Sequence, residues 1–401
     1  MAKEFKIKRN RLRIGRDTYK ARPHPFAVVL TVVGLVALFF VGMSVYKPFY
    51  NWIMSTPSII WEPRESEPAS QPQPAESSVP EPSEPSQPQA PAAVSLGTLR
   101  AVYLPHGIAA EPQQLEAFLD KLGNTSINAV MVELKDEQGK VLFDSALPQV
   151  SQLNSKNETT LDLAALSAQL KEKNLTLIGK MTAFQDPLAC LVDRQYAITY
   201  RDTAWLWLDA AKEDGGKPWM NPYSSAARDY LSGLALEAAE SGVSHIIFEA
   251  VQFPAYSTGV NANFGTDTGN LTRAQVLRAF VDELEGSLKT KGSGLSVAFG
   301  AGVFEGGDTL SLYGGSPAAV VGRSAVIGLL PGQMSMALIN TLTSSGKPLA
   351  QAGLAYAQQQ LEAAQRPAGE VELLPMVEAA PTGAEGYILY NEQGSYTLAL
   401  G

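Results

Sequence analysis

From residue 95 onward, apolar runs alternate with amphipathic stretches. Eight runs are almost continuously apolar, which is typical of parallel strands covered on both faces. They lie at 99–104, 127–134, 175–183, 245–250, 295–299, 325–330, 371–377 and 386–390. Apolar residues at helical spacing predict helices at 115–122, 161–173, 224–240, 351–365 and, behind a capping box at Thr272 and Gln275, at 276–288. This alternation favours an α/β fold of the (β/α)8 TIM-like barrel type over an open doubly wound sheet.

The N-terminal region has a different pattern. Residues 26–46 are apolar and uncharged, and as a helix they would span about 31 Å, the thickness of a bilayer core. All nine basic residues of the first 22 precede this run, so the positive-inside rule predicts that residues 1–25 are a cytoplasmic tail and that the rest of the chain is extracytoplasmic. A cleaved signal peptide is the alternative, but Lys47 and Pro48 follow the run instead of a small-residue cleavage site. We therefore expect a single-pass transmembrane helix at 26–46.

A spacer follows the apolar run. Residues 47–94 form a juxtamembrane segment and a linker rich in Pro, Glu and Ser, in which nine prolines between 62 and 94 exclude regular helix or sheet. Such a composition favours extended polyproline II structure. No second linker interrupts residues 95–401, so we expect one domain there.

The net charge and the small numbers of cysteine and histidine residues exclude several classes of function. The chain has a net charge of −9, and because residues 1–22 carry nine basic and two acidic side chains, the remainder sums to −16. A nucleic-acid-binding body is therefore not expected. Cys190 is the single cysteine and the three histidines are scattered, so we expect neither a disulfide framework nor a metal site, and no cofactor is implied.

Polar residues at strand ends are the candidates for chemistry, because barrel enzymes build their sites at the carboxyl ends of the strands. Lys135 and Asp136 follow the second strand, Asp186 follows the third, and Glu249 ends the fourth after three apolar residues. A carboxylate at position 249 is costly unless it is paired or exposed at the barrel mouth. The structural alternatives are that Glu249 pairs with Lys135 or Lys180 as scaffolding and that Asp186 begins a turn or helix at the following proline.

Five segments in this order resemble the uncharacterised bacterial family of glycosyl hydrolases with a TIM-barrel fold. They are RAVYLPHG (100–107), INAVMVELKDEQGKVLFDS (127–145), MTAFQDPLA (181–189), WMNPYSSAARDYLSGLALEAAESGVSHIIFEAVQFP (219–254) and GYILYNEQGSY (386–396). The resemblance implies a carboxylate at Glu249, although Gln252 stands where the family carries Arg and Asn221 where an acid is common. It also implies a barrel that is incomplete near its last helix, because too little chain lies between 377 and 386.

Glycoside hydrolysis uses two carboxyl groups, about 5 Å apart for retention or roughly 6.5 to 9.5 Å apart for inversion. We predict Glu249 as the first, with Asp136 and Asp186 as further catalytic candidates, while Glu133, Glu305 and Glu378 remain open as its partner. The predicted substrate-binding residues are Lys135, Glu133, Trp219, Asn221, Tyr223, His106 and Asn391. Exposed aromatic rings could stack on sugars, but Trp205 and Trp207 alternate with aliphatic residues and are better explained by core packing.

The sequence thus predicts a membrane-anchored, extracytoplasmic glycoside hydrolase that acts on or binds polysaccharide. A hypothesis of another class is a catalytically degenerate barrel that serves as a cell-surface carbohydrate-binding or scaffold module. Two carboxylates beside an open groove would favour the enzyme, and a salt-bridged Glu249 in a filled mouth would favour the scaffold. The oligomeric state is not indicated.

Overall fold

Eight parallel strands close into a barrel in the computed structural model, which describes residues 95–257, 261–266, 268–367 and 369–398. The strands of the described residues are β1 (Arg100–Leu104), β2 (Ala129–Lys135), β3 (Val141–Phe143), β4 (Lys156–Leu161), β5 (Thr176–Thr182), β6 (Thr199–Tyr200), β7 (His245–Glu249), β8 (Ala262–Asn263), β9 (Gly294–Gly300), β10 (Ser324–Gly328), β11 (Glu372–Val377) and β12 (Tyr387–Leu389). The α-helices are α1 (His106–Ala109), α2 (Pro112–Leu122), α3 (Pro148–Gln152), α4 (Leu163–Glu172), α5 (Pro187–Val192), α6 (Ser225–Glu240), α7 (Arg273–Thr290), α8 (Thr309–Tyr313), α9 (Met336–Ser344) and α10 (Leu349–Ala363).

The barrel strands follow one another in the order β1, β2, β5, β7, β9, β10, β11 and β12, and each pair is parallel. Pairing of β12 with β1, which places Val102 opposite Leu389, closes the ring. All eight apolar runs predicted from the sequence become barrel strands. The prediction of a closed barrel over an open sheet is therefore confirmed.

The two faces of the strands pack against different partners. One set of alternate residues fills the barrel interior, including Ala101, Met131, Ile178, Ile247 and Ile388. The intervening residues pack outward in the larger cluster that also contains the buried faces of the helices. Because successive side chains of a strand point to opposite faces, strands buried on both sides read as continuous apolar runs.

The five predicted helices are present, with ends that differ from the predicted ones by up to three residues, and the start of α7 carries its predicted cap. Thr272 Oγ1 accepts a hydrogen bond from the Gln275 amide, and Gln275 Oε1 accepts one from the Thr272 amide, so the predicted capping box opens α7. Residues 378–386 connect β11 to β12 through turns without a helix. The expectation of a barrel that lacks its last connecting helix is confirmed.

Additional short strands extend the barrel on one side. The strand β3 pairs antiparallel with β2 through a tight turn at 136–140, and β4 lies parallel beside β3. The strands β6 and β8 form a small separate sheet that ties the loop after β5 to the loop after β7. Both loops follow carboxyl ends of barrel strands, so they build the surroundings of the mouth.

One sequence prediction was wrong, and the predictions for the N-terminal region are not tested by the described residues. Trp207 is 9% exposed, as core packing requires, but Trp205 is 76% exposed, so its assignment to the core was wrong. In a regular strand, residues two positions apart lie on the same face. Trp205 and Trp207 lie instead in a loop that is held by isolated bridges at Leu206 and Leu208, and there this rule does not apply. Within the described ranges, no helix is long and apolar enough to cross a bilayer. The predicted tail (1–25), membrane helix (26–46) and linker (47–94) lie outside the described residues and stay predictions.

Candidate active site

At the carboxyl ends of the barrel strands, the inward-facing positions change from apolar to polar. Glu133, Lys180 and Glu249 each lie two positions after a residue that packs inside the barrel. Since side chains alternate along a strand, each of the three continues the inward face of its own strand. They form the layer directly above the apolar barrel interior, at the opening that we call the mouth.

These three side chains form an ion cluster. Lys180 Nζ lies 2.6 Å from Glu133 Oε1 and 3.0 Å from Glu249 Oε2. The two distances together limit the separation of these carboxylate oxygens to at most about 5.6 Å. The Lys180 side chain is 6% exposed, whereas those of Glu133 and Glu249 are 19% and 31% exposed. The carboxylates are therefore the accessible part of the cluster.

The protonation state of Lys180 follows from its neighbours. Burial alone would lower the pKa of its ammonium group, but the nearby charges of Glu249 and Glu133, with the hydrogen bond to Glu133, raise that pKa above its ordinary value. Lys180 is therefore charged at every physiological pH. The cluster holds two carboxylates against one ammonium and carries a net negative charge.

Two adjoining cavities lie above this layer. The larger, of about 690 Å³, extends from the ion cluster towards the loops after β10, β11 and β12, and the smaller, of about 330 Å³, extends towards those after β7 and β9. Both are lined by Glu137, Thr182, Glu249, Gln333 and Met376. Their volumes fall in the range of small-ligand sites, roughly 300–1,000 Å³. The mouth is therefore open and not filled by side chains.

Stacked tyrosines form one wall of the larger cavity. The rings of Tyr103 and Tyr390 lie 4.7 Å apart at an angle of 29°. Tyr396 fixes this wall, because its hydroxyl donates to the Tyr103 carbonyl oxygen at 2.7 Å and accepts from the Asn391 amide at 3.1 Å. Burial, and next the charge of Glu133, raise the pKa of Tyr103, so its hydroxyl stays neutral. The wall offers flat apolar rings beside charged groups.

The smaller cavity is lined by amides and a buried phenol. Tyr313 donates a hydrogen bond to Gln252 Oε1 at 2.7 Å, which fixes the side chain that stands where the family carries Arg. Ala250, directly after Glu249, has a φ of 52°, a left-handed conformation that is strained for a residue with a Cβ. Its carbonyl oxygen accepts a hydrogen bond from the Phe184 amide, so this turn links the ends of β5 and β7.

Four of the predicted site residues line the larger cavity: Glu249, Glu133, Asp136 and Asn391. Asp136 also stabilises the β2–β3 turn, since its Oδ1 accepts from the amides of Gln138 and Lys140 at 2.9 and 2.8 Å. Asn391 does the same in its own turn, because its Oδ1 accepts from two following amides. Glu249 and Glu133 are therefore the predicted carboxylates best placed for chemistry.

Lys135 and Asp186 lie beside the barrel and not in the mouth. Their side chains are both 0% exposed, with Lys135 Nζ 3.0 Å from Asp186 Oδ2 and 2.9 Å from the Thr182 carbonyl oxygen. Asp186 Oδ1 also accepts from the Ala189 amide and caps α5, the helix start considered from the sequence. A register shift between Glu133 and Lys135 in the β2–β5 pairing accompanies the turn of Lys135 away from the interior. Both residues hold the scaffold together.

The other predicted binding residues lie away from the two mouth cavities. Trp219 is buried and donates to Asp209 Oδ2 at 2.8 Å. Asn221 and Tyr223 border a separate cavity of about 480 Å³, where Asn221 donates to the Phe264 carbonyl oxygen. His106 Nε2 lies 3.1 Å from the Thr159 carbonyl oxygen. The structure does not bring these four residues to the mouth.

Of the two remaining carboxylate candidates, one lies away from the mouth cavities and the other lines the larger cavity. Glu305 accepts hydrogen bonds from the Ser335 hydroxyl and amide and does not line either cavity. Glu378 is exposed and lines the larger cavity. Among the residues that the structure describes, no group of three His, Cys, Asp or Glu side chains could hold a metal ion.

The sequence suggests Lys180 only as a scaffolding partner of Glu249, and that contact is present at 3.0 Å. It does not indicate that Lys180 is the centre of an ion cluster, or that Tyr103 and Tyr390 form a wall of the mouth. The missed signal is the strand period. Each residue lies two positions after an inward-facing apolar residue, at 178, 101 and 388, near the end of its strand. Extending the inward face by one more position would have found all three.

Comparisons with solved structures give weak overall similarity. A hypothetical protein from Ruminiclostridium thermocellum is 23% identical, with a TM-score of 0.43 over 49% of this chain and 96% of that one. A Flavobacterium johnsoniae chitobiase is 12% identical, with a TM-score of 0.42 over 74% and 45% of the two chains. An exo-β-N-acetylglucosaminidase from Vibrio harveyi is 11% identical, with a TM-score of 0.39 over 70% and 41%. This chain thus spans less than half the length of the last two enzymes.

No curated protein matches the chain. The comparison with protein-family models gives a stronger result than the solved structures. Residues 101–309 match the family model described as "Putative glycosyl hydrolase domain", which confirms the resemblance seen in the five sequence segments. Because this match covers more than half of the 401 residues, the chain belongs to that glycosyl hydrolase domain family.

Proposed function

We propose that the barrel domain hydrolyses glycosidic bonds of a glycan bound in the mouth, with Glu133 and Glu249 as the two carboxyl groups. The observation that carries the proposal is their shared contact with Lys180, which limits the separation of the contacting oxygens to at most about 5.6 Å. Retaining glycosidases place their carboxyl groups about 5 to 5.5 Å apart. Both carboxylates also border open cavity space.

In a retaining reaction, one carboxylate attacks the anomeric carbon while the other, which must first take up a proton from solvent, gives that proton to the departing glycosidic oxygen. The same group then takes a proton from the water that releases the sugar. Lys180 orients both side chains through contacts of 2.6 and 3.0 Å. The half-buried ring of Tyr390, which stacks on the buried ring of Tyr103, supplies a flat surface of the kind that packs on a sugar ring.

The test is release of reducing ends by the purified full chain from a panel of cell-wall and storage glycans. We expect Glu249→Gln and Glu133→Gln each to lower the rate by about 100-fold or more, because each removes a group that exchanges a proton or forms a bond. The matched control is Glu172→Gln, which makes the same change at an exposed position on α4. A wild-type rate in either mouth variant would remove that residue from the mechanism.

Glycan binding without hydrolysis is a second candidate function. It is favoured by the ion pairing itself, because Lys180 engages the same two carboxylates that hydrolysis needs. Binding measured by calorimetry on the same panel separates the two. Binding without release of reducing ends supports the binding module, and release that depends on Glu249 and Glu133 supports the enzyme.

The location of this activity is a further part of the proposal. We infer from the sequence that a membrane helix at 26–46 and the proline-rich linker hold the domain outside the cytoplasm. Protease added to intact cells should then digest the domain and leave the N-terminal tail protected. Protection of the domain in intact cells, with digestion after lysis, would contradict this location.

A further inference from the structure

The side chains that line the mouth carry charge of nearly one sign. Six are acidic: Glu133, Asp136, Glu137, Glu249, Glu378 and Glu392. The single basic side chain among the described lining residues is Lys180, so these residues sum to a charge of −5. Clefts lined by one sign of charge concentrate ligands of the opposite sign.

Three of these carboxylates are free to meet a ligand. Glu137, Glu378 and Glu392 are exposed, and none of them forms an ion pair with any residue that the structure describes. Glu137 accepts one hydrogen bond, from the neighbouring amide side chain of Gln138. The rim of the mouth therefore presents negative charge that the protein itself does not neutralise.

The uncompensated charge borders open space. Glu378 and Glu392 line the larger cavity, and Glu137 lines both cavities. A ligand that carries positive charge is therefore the one that this rim complements.

We propose that the glycan taken by the mouth carries protonated amino groups, so that its substrate class is an amino-sugar polymer with free amines and not acetylated ones. This inference rests on the proposed function and specifies the substrate of that same site. The ammonium group of Lys180 already occupies the position between Glu133 and Glu249, so we assign the amines of the ligand to the exposed rim carboxylates Glu137, Glu378 and Glu392. The partly exposed ring of Tyr390 in the tyrosine wall favours sugar rings over an extended basic peptide, since the flat faces of sugars stack on aromatic rings.

The first experiment compares ligands with one backbone and different charge, using the purified full chain. Calorimetry measures binding of a fully de-N-acetylated chitosan oligosaccharide, of the N-acetylated chitin oligosaccharide of equal length, and of a uronic-acid oligosaccharide, at slightly acidic pH where the amines are protonated. We expect the chitosan oligosaccharide to bind roughly tenfold more tightly than its acetylated counterpart, the difference to shrink at high salt, and the uronic-acid oligosaccharide not to bind. Equal or tighter binding of the acetylated oligosaccharide would overturn the inference.

The second experiment removes rim charge. We expect the double variant Glu378→Gln/Glu392→Gln to lose roughly tenfold in affinity for the chitosan oligosaccharide and nothing for the acetylated one. The matched control is Glu172→Gln/Glu362→Gln, which removes two exposed charges from α4 and α10 and should leave both affinities unchanged. Equal losses for both ligands, or tight binding of a lysine oligomer at the same rim, would overturn the assignment to an amino-sugar polymer.

Reducing-end assays on the same ligands separate this inference from the proposed function. Hydrolysis of the acetylated oligosaccharide in preference to the free amine would leave a glycoside hydrolase with the wrong substrate class. Tight, charge-dependent binding of the free amine without cleavage would support the substrate class while refuting hydrolysis.

Discussion

His245 makes the stability of the barrel dependent on pH. It begins β7, is 3% exposed, and its Nε2 lies 2.8 Å from Ser296 Oγ. Ser296 Oγ lies 2.7 Å from Ser324 Oγ, which donates to the Leu295 carbonyl oxygen at 2.7 Å. Because the Ser324 proton is used on that carbonyl, Ser296 donates to Ser324 and accepts from His245 Nε2–H. The neutral imidazole therefore carries its proton on Nε2 and its free lone pair on Nδ1.

Protonation of Nδ1 is unfavourable in this environment. The atom is buried without a hydrogen-bond partner, and it lies so close to Gly294 that a Cβ at that position would overlap the ring. Burial lowers the pKa of His245 from 6.5 to about 4. The unfolded chain takes up this proton near its ordinary pKa, so the folded state loses stability as the pH falls from about 6.5 to about 4. The total loss is about 3 kcal/mol, at 1.36 kcal/mol per pKa unit.

Urea unfolding of the wild type and of His245→Gln, followed at several pH values between roughly 7 and 4, tests this value. The Gln side chain does not titrate but keeps an N–H for Ser296, and the carboxylates contribute equally to both proteins. We expect the wild type to lose about 3 kcal/mol relative to the variant on acidification. A stability difference that stays constant across this range would refute the reasoning.

Three further predictions follow from the scaffold and from the site. Asp186→Asn leaves the fully buried Lys135 without its counter-ion and should cost about 3–5 kcal/mol in urea unfolding; a cost below 1 kcal/mol would contradict it. Gly139→Ala places a Cβ against the Asp186 carboxylate at a φ of 89° and should destabilise more than Gly215→Ala, whose φ is 79° with open space around it. The first sugar released should retain its anomeric configuration, as NMR of the fresh product can show, and inversion would exclude Glu133 and Glu249 as the pair.

The barrel could be predicted from the sequence because each of its eight strands is buried on both faces and is therefore apolar throughout. Glu249 could be predicted for the same reason, since a carboxylate directly after three apolar residues stands out. Its neighbours could not be ranked, because they depend on the register between strands. In the β2–β5 ladder Glu133 lies opposite Lys180, and in the β5–β7 ladder Thr182 lies opposite Glu249. Two neighbouring ladders therefore bring carboxylates 116 positions apart in the sequence to one nitrogen.

Trp205 shows a second limit of the sequence. The alternation of aromatic and aliphatic residues at 204–208 predicts a short strand with both tryptophans in the core. In so short a segment, the burial of a side chain depends on the surface that packs against it. In this loop Trp207 is buried and Trp205 is exposed. Local pattern alone does not contain that information.

The same limit explains why two lysine–carboxylate contacts of similar length have different roles. Lys135 and Asp186 are 3.0 Å apart with both side chains fully buried, so their charges cancel and no ligand reaches them. Lys180 meets two carboxylates that are 19% and 31% exposed, so its cluster keeps an excess negative charge that faces open space. The register shift between Glu133 and Lys135 separates the two sites, because it turns Lys135 out of the barrel interior and leaves Lys180 as the ammonium in the mouth. A balanced and sealed pair stabilises the fold, whereas an unbalanced and accessible cluster is open to a ligand, which is why our proposal assigns the chemistry to Glu133 and Glu249 and not to Asp186.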